Sequence, residues 1–278
     1  MIILKSAEEL EKMRRAGRIV ADTIDRVVDA VAPGVTTAEL DRISETFIAA
    51  QGATPSFKGY RGASRTPFPA TICTSLNDEI VHGIPSRDRR LEEGDLLSLD
   101  FGAIWEGFHS DAAVTVFVGM APSVEAERLV KTTEAALDAA IAEVVPGGRL
   151  SDIGNAIETV ASREGLGIVR EYGGHGIGRS LHEDPFIQNW GKPDRGPEMR
   201  PGLVIAVEPM LNLGDDGTAI MPDGWTVVTA DGSVAAHVEH SVALFDDGVW
   251  VLTAEDGGAE RLGDLLASAA DGVLLPEQ

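Results

Sequence analysis

Two stretches of the chain repeat, and the repeat constrains the fold more than any other feature. "VAPGVTTAELDRISETFIAAQG" (31–52) matches "VVPGGRLSDIGNAIETVASREG" (144–165) at an offset of 113 residues. "EEGDLLSLDFG" (92–102) echoes "MRPGLVIAVEP" (199–209) at an offset of 108. The second match aligns Gly94 with Gly202 and puts Asp100 in register with Glu208. An acid thus occupies the same slot of two similar apolar strands. Two related helix–strand halves, each bringing an acid to one place, imply a pseudo-twofold with a shared site between them. A linker near 119–124 separates the halves, about 1–120 and 121–253, without making independent domains.

Local signals place the elements. Ser6 and Glu9 have capping-box spacing and Pro33-Gly34 follows, which predicts a helix over about 6–31. Further helices are expected at about 37–51, 123–145 and 151–164. Residues 53–70, rich in Gly, Pro, Ser and Arg, read as a loop. Strands are expected at about 71–75, 95–103 and 110–118, then mostly short strands. A weak Ala/Leu helix at about 258–270 falls in a tail, 254–278, without an assigned role.

The hairpin "LLSLDFGAIWEGFHSDAAVTVFV" (96–118) carries Asp100 in one apolar arm and Asp111 in the other. A turn at Glu106-Gly107 pairs position 100 with 113, whereas a turn at Trp105-Glu106 pairs 100 with 111. In either register the two aspartates share a face, roughly 5–8 Å apart. Two carboxylates that close in an apolar setting repel each other and are costly to bury. A metal ion is the natural candidate to sit between them, and a solvent-exposed edge with two ordinary surface acids is the alternative. Glu208 in "GLVIAVEPML" and Glu239 in "AAHVEHSVALF" are again acids in apolar strands. His175 lies among glycines in "EYGGHGIGRSLHEDP", with His182 seven residues later. Those glycines allow unusual backbone angles and close approach of another group. His82 follows an apolar strand and precedes a glycine in "VHGIP".

Composition excludes several classes. The 278 residues are 44% hydrophobic, enough for a globular chain with a sizeable core. Lys+Arg 23 against Asp+Glu 45 gives a net charge of −22, which disfavours non-specific binding to nucleic acid or anionic membrane. The single cysteine, Cys73, allows no intrachain disulfide and fits a reducing compartment. No run of about 20 apolar residues and no signal-peptide pattern is present, so a cytoplasmic protein is expected.

The set "NDEIVHGIP", "LDFGAIWEGFHSDAA", "GGHGIGRSLHEDP", "VEPML" and "DGWTVVTADGSVAAHVEHSV" resembles the type I methionine aminopeptidases of the pita-bread metallopeptidase family, from the N-terminal helix to about residue 253. The resemblance implies an α+β fold: one catalytic domain with a pseudo-twofold antiparallel sheet covered by helices. It implies removal of the initiator methionine before a small second residue, by attack of a metal-bound water or hydroxide on the first peptide bond. It assigns five ligands, Asp100, Asp111, His175, Glu208 and Glu239, to two divalent ions (Mn, Fe or Co), with Asp111 and Glu239 bridging. Asp100 completes one ion, and His175 with Glu208 the other. Glu208 is implied as proton shuttle, His182 as donor to the carbonyl or oxyanion, and His82 as a substrate contact that helps proton transfer. Tyr60, Phe68, Cys73 and Trp225 are placed near the methionine pocket, with Phe57 as a weaker candidate. The implied partners are nascent polypeptide N-termini, met at the ribosome or beyond it. A monomer is expected, and docking through a Cys- or Pro-rich N-terminal extension is not.

Two departures from the family pattern stand out. Residues Ala63 to Pro67 lengthen a loop at the pocket rim, where they would alter substrate preference or cover the site. His237 stands where the family usually has Gln. It adds a titratable group beside Glu239 or hydrogen-bonds as Gln would. An X-Pro peptidase of the same fold and a metal-free scaffold that binds peptides or ribosomes are the rival readings. Metal content and Met-Ala-Ser against Ala-Pro substrates separate them.

Overall fold

In the computed structural model, which describes residues 1–62 and 64–263, helix α1 spans Ala7–Val28 and α2 spans Thr37–Ala50. Both start at capping boxes. The Ser6 hydroxyl accepts from the Glu9 N–H while the Glu9 carboxylate accepts from the Ser6 N–H, and Thr36 and Glu39 repeat the arrangement. These bonds satisfy N–H groups that a helix's first turn leaves without partners. Strands β1 (Thr54–Pro55), β2 (Ile72–Leu76), β3 (Glu79–Val81), β4 (Leu96–Trp105) and β5 (Phe108–Phe117) complete the first half. The second half opens with α3 (Val124–Ala142) and α4 (Leu150–Glu164). Strands β6 (Gly167–Ile168), β7 (Gly173–Gly176), β8 (Glu183–Gln188), β9 (Val204–Val207) and β10 (Met210–Asn212) follow. The last are β11 (Thr218–Ile220), β12 (Val227–Thr229), β13 (Ala235–His237), β14 (Glu239–Phe245) and β15 (Gly248–Val251). Of the expected C-terminal helix, Ala259–Leu262 is helical, and 264–278 lie outside the described residues.

The main sheet runs β1-β4-β5-β14-β9-β7-β8, with β2 on β4 and β15 on β14. Its strands are antiparallel throughout, and the halves meet where β5 pairs β14, Ala113 opposite Glu239. At that seam the Asp111 N–H donates to Ser241 Oγ at 2.9 Å, and the same hydroxyl donates back to the Asp111 carbonyl at 2.8 Å. The loop reading of 53–70 needs one correction, because Thr54 and Pro55 form β1 and pair with Ile104 and Ala103.

The internal repeat reappears as matched backbone contacts. Gly34 N–H donates to the Leu91 carbonyl at 2.7 Å, and Gly147 N–H to the Met199 carbonyl at 2.9 Å. Bridges Thr36–Arg90 and Arg149–Glu198 correspond in the same way. Gly94 and Gly202 both sit at φ 87°, a left-handed turn that glycine adopts without strain.

Period two divides each strand between two faces. Leu97, Leu99, Phe101 and Ala103 of β4 pack with Ile19, Val20 and Ile24 of α1 and with Leu40 and Ile48 of α2. Ile205 and Val207 of β9 and Val242 and Leu244 of β14 pack with Leu129, Leu137 and Ile141 of α3 and with Ile153 and Ile157 of α4. Each helix pair therefore closes one half of the same face. The alternate residues, Asp100, Asp111 and Glu239 among them, point away from these cores. This is the α+β, pseudo-twofold arrangement that the sequence predicts. No described helix is long and apolar enough to cross a membrane.

Candidate active site

The register brings the predicted donors together in two adjacent rows. In the first, Asp100 faces Ala113 and Ala113 faces Glu239. Glu208 lies next in line, because Val207 pairs with His240. In the second row Gly102 faces Asp111, and Ser241 faces Ala206, which in turn faces His175. Small residues fill the positions between the donors. The hairpin turn is Glu106-Gly107, both with positive φ (47° and 82°), so Asp100 pairs with 113 and meets Asp111 on the diagonal.

Glu208 differs from the sequence reading in one respect, because it lies just past the end of a strand, whereas Glu239 opens one. β9 ends at Val207 and β10 begins at Met210, while β13 ends at His237 and β14 begins at Glu239. Pro209 has no N–H with which to continue the ladder. Both chains change sheets here, because β9 and β14 pair in the main sheet whereas β10 and β13 pair in a small one. The break frees side chains on both strands to converge. The Asn189 amide holds the Glu208 carbonyl at 2.9 Å.

His175 lies in strand β7. Its glycines serve close packing: none of Gly173, Gly174, Gly176 or Gly178 has positive φ. A Cβ at Gly174 would meet the Ala206 carbonyl oxygen at 2.3 Å, and one at Gly176 the Asp184 oxygen at 2.2 Å. His175 Nδ1 lies 2.9 Å from the Gly176 carbonyl oxygen. That oxygen only accepts, so Nδ1 carries the proton and Nε2 presents a lone pair, 3.6 Å from Glu208 Oε1.

The cluster is short of positive charge. Among the described residues no Lys or Arg pairs with Asp100, Asp111, Glu208 or Glu239, and only histidines approach them. Burial pushes the Asp111, Glu208 and Glu239 carboxyls well above the ordinary range, reinforced by repulsion from neighbouring carboxylates. Burial also pushes Asp100 up to about 7, partly opposed by hydrogen bonds from the Cys73 thiol and the Asp111 carboxyl. The imidazoles move the other way, with His175 and His237 at about 3 and neutral, mainly through burial. Asp100 Oδ1, Asp111 Oδ1, Glu239 Oε1 and His237 Nε2 are buried without a hydrogen-bond partner. Orphaned donor atoms on mutually repelling acids fit divalent cations. Carboxylates and imidazole form a hard to borderline set. Cys73 does not change it, because burial and the facing Asp100 carboxylate raise its thiol and keep it protonated.

The donors line one side of a cavity of about 600 Å³. Tyr60, Phe68, Cys73, Trp225 and Phe57, all predicted for the methionine pocket, line it as well. Phe68 meets Phe57 and Trp225 edge-on, at 6.4 and 5.3 Å between ring centroids. Trp225 Nε1 donates to the Thr66 carbonyl at 3.0 Å and so ties down the lengthened rim loop, of which Ala63 lies outside the described residues. His182 Nδ1 is 2.6 Å from the Tyr60 hydroxyl, and its ring is 4.2 Å from that of His175. His82 follows β3 in a left-handed conformation, φ 62°, that an L-residue adopts at a cost of about 1–2 kcal/mol. A Cβ on its neighbour Gly83 would meet the Thr74 oxygen at 2.2 Å. Burial lowers the His82 pKa to about 4. The wall residues Tyr172, Phe186 and Ile220 were not legible beforehand, having no motif or periodicity to single them out.

The model of Metallopeptidase family M24 matches residues 11–245. The chain is 48% identical over 253 residues to a methionine aminopeptidase of Clostridium acetobutylicum, covering 91% of this chain and 99% of that protein. It is 49% identical over 255 residues to methionine aminopeptidase 1 of Mycobacterium tuberculosis, covering 90% and 94%. The crystal structure of methionine aminopeptidase from Thermotoga maritima superposes with a TM-score of 0.88 at 39% identity, over 92% of this chain and all of that one. Prolidase from Pyrococcus furiosus, at 21% identity and a TM-score of 0.73, shares the fold. The two-row donor cluster, the helix-covered pita-bread sheet and these likenesses agree: the chain belongs to the M24 metallopeptidases, among the type I methionine aminopeptidases.

Proposed function

We infer that this cleft removes the N-terminal methionine from polypeptides by metal-assisted hydrolysis of the first peptide bond. One observation carries the reading. Five convergent donors, several with orphaned atoms, stand beside an aromatic-walled cavity that suits an unbranched, polarizable side chain. The relatives' names point the same way.

In this reading two ions of Mn, Fe or Co would be held by five donors: Asp111 and Glu239 would serve both, Asp100 one, and His175 with Glu208 the other. When bound, the ions supply Lewis-acid polarisation of the scissile carbonyl and a lowered pKa for water. The protein's own groups do the rest. Glu208, 14% exposed at the cleft, takes up a proton and passes it to the leaving amine. His182 Nδ1 lies 2.6 Å from the Tyr60 hydroxyl, and in this reading that hydroxyl donates to Nδ1, leaving the proton on Nε2 to be donated toward the developing oxyanion. His82, neutral at pH 7, contacts the substrate beside the scissile amide and relays a proton there. Tyr60, Phe68, Cys73 and Trp225 hold the methionine side chain, with Phe57 behind Phe68.

The same reading treats 1–278 as a single catalytic domain, with halves of about 1–120 and 121–253 and a tail at 254–278 without an assigned role, supported by the β5–β14 seam and by candidate donors from both halves. It places the protein in the cytoplasm as a monomer. Its substrates there are nascent chains with a small second residue, met at the ribosome or after release. The test is release of free methionine from Met-Ala-Ser by metal-stripped protein given Mn²⁺, Fe²⁺, Co²⁺ or Zn²⁺ anaerobically. Metal-dependent release is expected. Absence of release from folded protein with every metal would overturn the reading.

A further inference from the structure

His237 stands outside the five-donor set, yet its side chain ends inside the same cluster. It is buried, with 3% of the side chain exposed. Its Nε2 lies 3.7 Å from Glu208 Oε2 and 3.9 Å from Glu239 Oε2, too far for a hydrogen bond to either. Among the described residues no group satisfies it. Two donors each about 2.1 Å from one ion stand roughly 3.0–3.4 Å apart, so the observed separations are close to those of atoms sharing a cation.

The backbone fixes this aim. His237 N–H donates to Thr115 Oγ1 at 3.0 Å, and that hydroxyl donates to the His237 carbonyl at 2.6 Å. In β13 His237 also pairs with Met210, just past Glu208. The donor atoms fall into two overlapping triads, Asp111–His175–Glu239 and Glu208–His237–Glu239, each with its atoms within 4.8 Å of one another. Glu208 turns one oxygen toward each imidazole, 3.6 Å from His175 Nε2 and 3.7 Å from His237 Nε2.

We propose that His237 is a sixth donor to the metal pair, binding the ion held by Glu208 and Glu239, so that the pair carries two imidazoles. The proposal rests on the two-ion reading above. It has a consequence for metal choice. A glutamine here offers a neutral amide oxygen, whereas histidine offers a basic nitrogen, which shifts preference from Mn²⁺ toward Fe²⁺, Co²⁺ or Zn²⁺.

The test loads metal-stripped wild type, His237→Gln and His237→Leu with Co²⁺ under anaerobic conditions. Equilibrium dialysis gives stoichiometry and affinity, X-ray absorption counts imidazoles, and circular dichroism checks the fold. Wild type should bind two Co²⁺ with two imidazoles per pair. Each variant should keep one ion at wild-type affinity, bind the other at least roughly tenfold more weakly, and lose half of the imidazole scattering. The ratio of Mn²⁺ to Co²⁺ affinity should rise in His237→Gln. One imidazole per pair in wild type, or unchanged affinity in both variants, would overturn the proposal, and the wild-type count decides even if a variant misfolds. Binding of a single Co²⁺ by wild type would overturn the two-ion reading instead, and the imidazole count at that ion would still decide for or against His237.

Discussion

In the first half the acid slot is Asp100, in the middle of β4 and facing Cys73 of β2. In the second half the matching slot is Glu208, one residue past the end of β9 and followed by Pro209. The short aspartate suits a continuous strand whose side chain rises straight from the sheet. The longer glutamate suits a broken strand, where the extra methylene spans the gap to both histidines. A second slot diverges in the same manner. Asp41 of α2 accepts the Thr71 and Ile72 N–H groups at 2.7 and 3.1 Å. Its counterpart in α4 is Gly154, where a Cβ would meet the Gln188 carbonyl oxygen at 2.3 Å. The halves keep the backbone scaffold and differ where each must meet its own neighbours.

The largest effect is expected where the halves join. On the proposed ligand assignment Asp111→Asn and Glu239→Gln would each remove a donor to both ions, so metal content of both ions should fall and turnover should drop by more than roughly a hundredfold, beyond what outer partners of a ligand cost. Asp100→Asn and Glu208→Gln should each lower the content of one ion only. Metal analysis beside methionine release checks this, and equal losses in all four variants would break the division between halves.

Each half also brings to the cleft one histidine that stands outside the proposed donor set, His82 from the first and His182 from the second. His82→Ala and His182→Ala should lower turnover about 10²-fold or more while leaving metal content intact. Loss of metal in either variant would move that residue into the ligand set.

A smaller effect follows from the raised carboxyls. In metal-stripped protein Asp111, Glu208 and Glu239 bind protons more tightly when folded than at their ordinary values of 3.8 and 4.5. The folded state then holds more protons, and stability falls as pH rises. The buried histidines, lowered from 6.5, oppose this only below about pH 6.5, where the unfolded chain binds the extra protons. Above about pH 6.5, as the pH rises through the Asp100 value of about 7, the stripped protein should therefore lose stability, by up to about 1.4 kcal/mol per pH unit for each proton involved. Saturating Co²⁺ should flatten the slope. Urea midpoints across that range, with and without metal, provide the check, and a rise in stability would contradict the charge balance described for the site.

The smallest effect sharpens the comparison of scaffolds. Gly154→Ala should cost about 1–3 kcal/mol by overpacking, and Asp41→Ala about 1–3 kcal/mol by orphaning two N–H groups. Thermal melts of the metal-loaded variants measure both.

Much of this was legible in the chain alone, for local reasons. Capping residues Ser6 and Glu9 mark the start of α1, and the hairpin shows in its turn residues, although its register, open between turns at Glu106-Gly107 and Trp105-Glu106, was settled by the pairing of Asp100 with Ala113. The repeat offsets return as the paired contacts of Gly34 and Gly147. Other features were not legible. "GGHG" carries no β-branched or alternating signal, so its strand identity depends on β8 and β9 closing around it. The sheet change at Glu208 and Glu239 depends on strands far apart in sequence pairing in two different sheets.

By itself the sequence determined the helices, the hairpin and the twofold plan and, through its likeness to the family, marked five candidate donors, because caps, turns, period-two patterning and motifs act over a few residues. Tertiary structure decided which atoms converge. Rows of donors form only when β5 pairs β14 and β9 pairs β7, and the aim of His237 comes from Thr115, 122 residues away. Pairing across such distances depends on the packing of both cores, which no local pattern encodes.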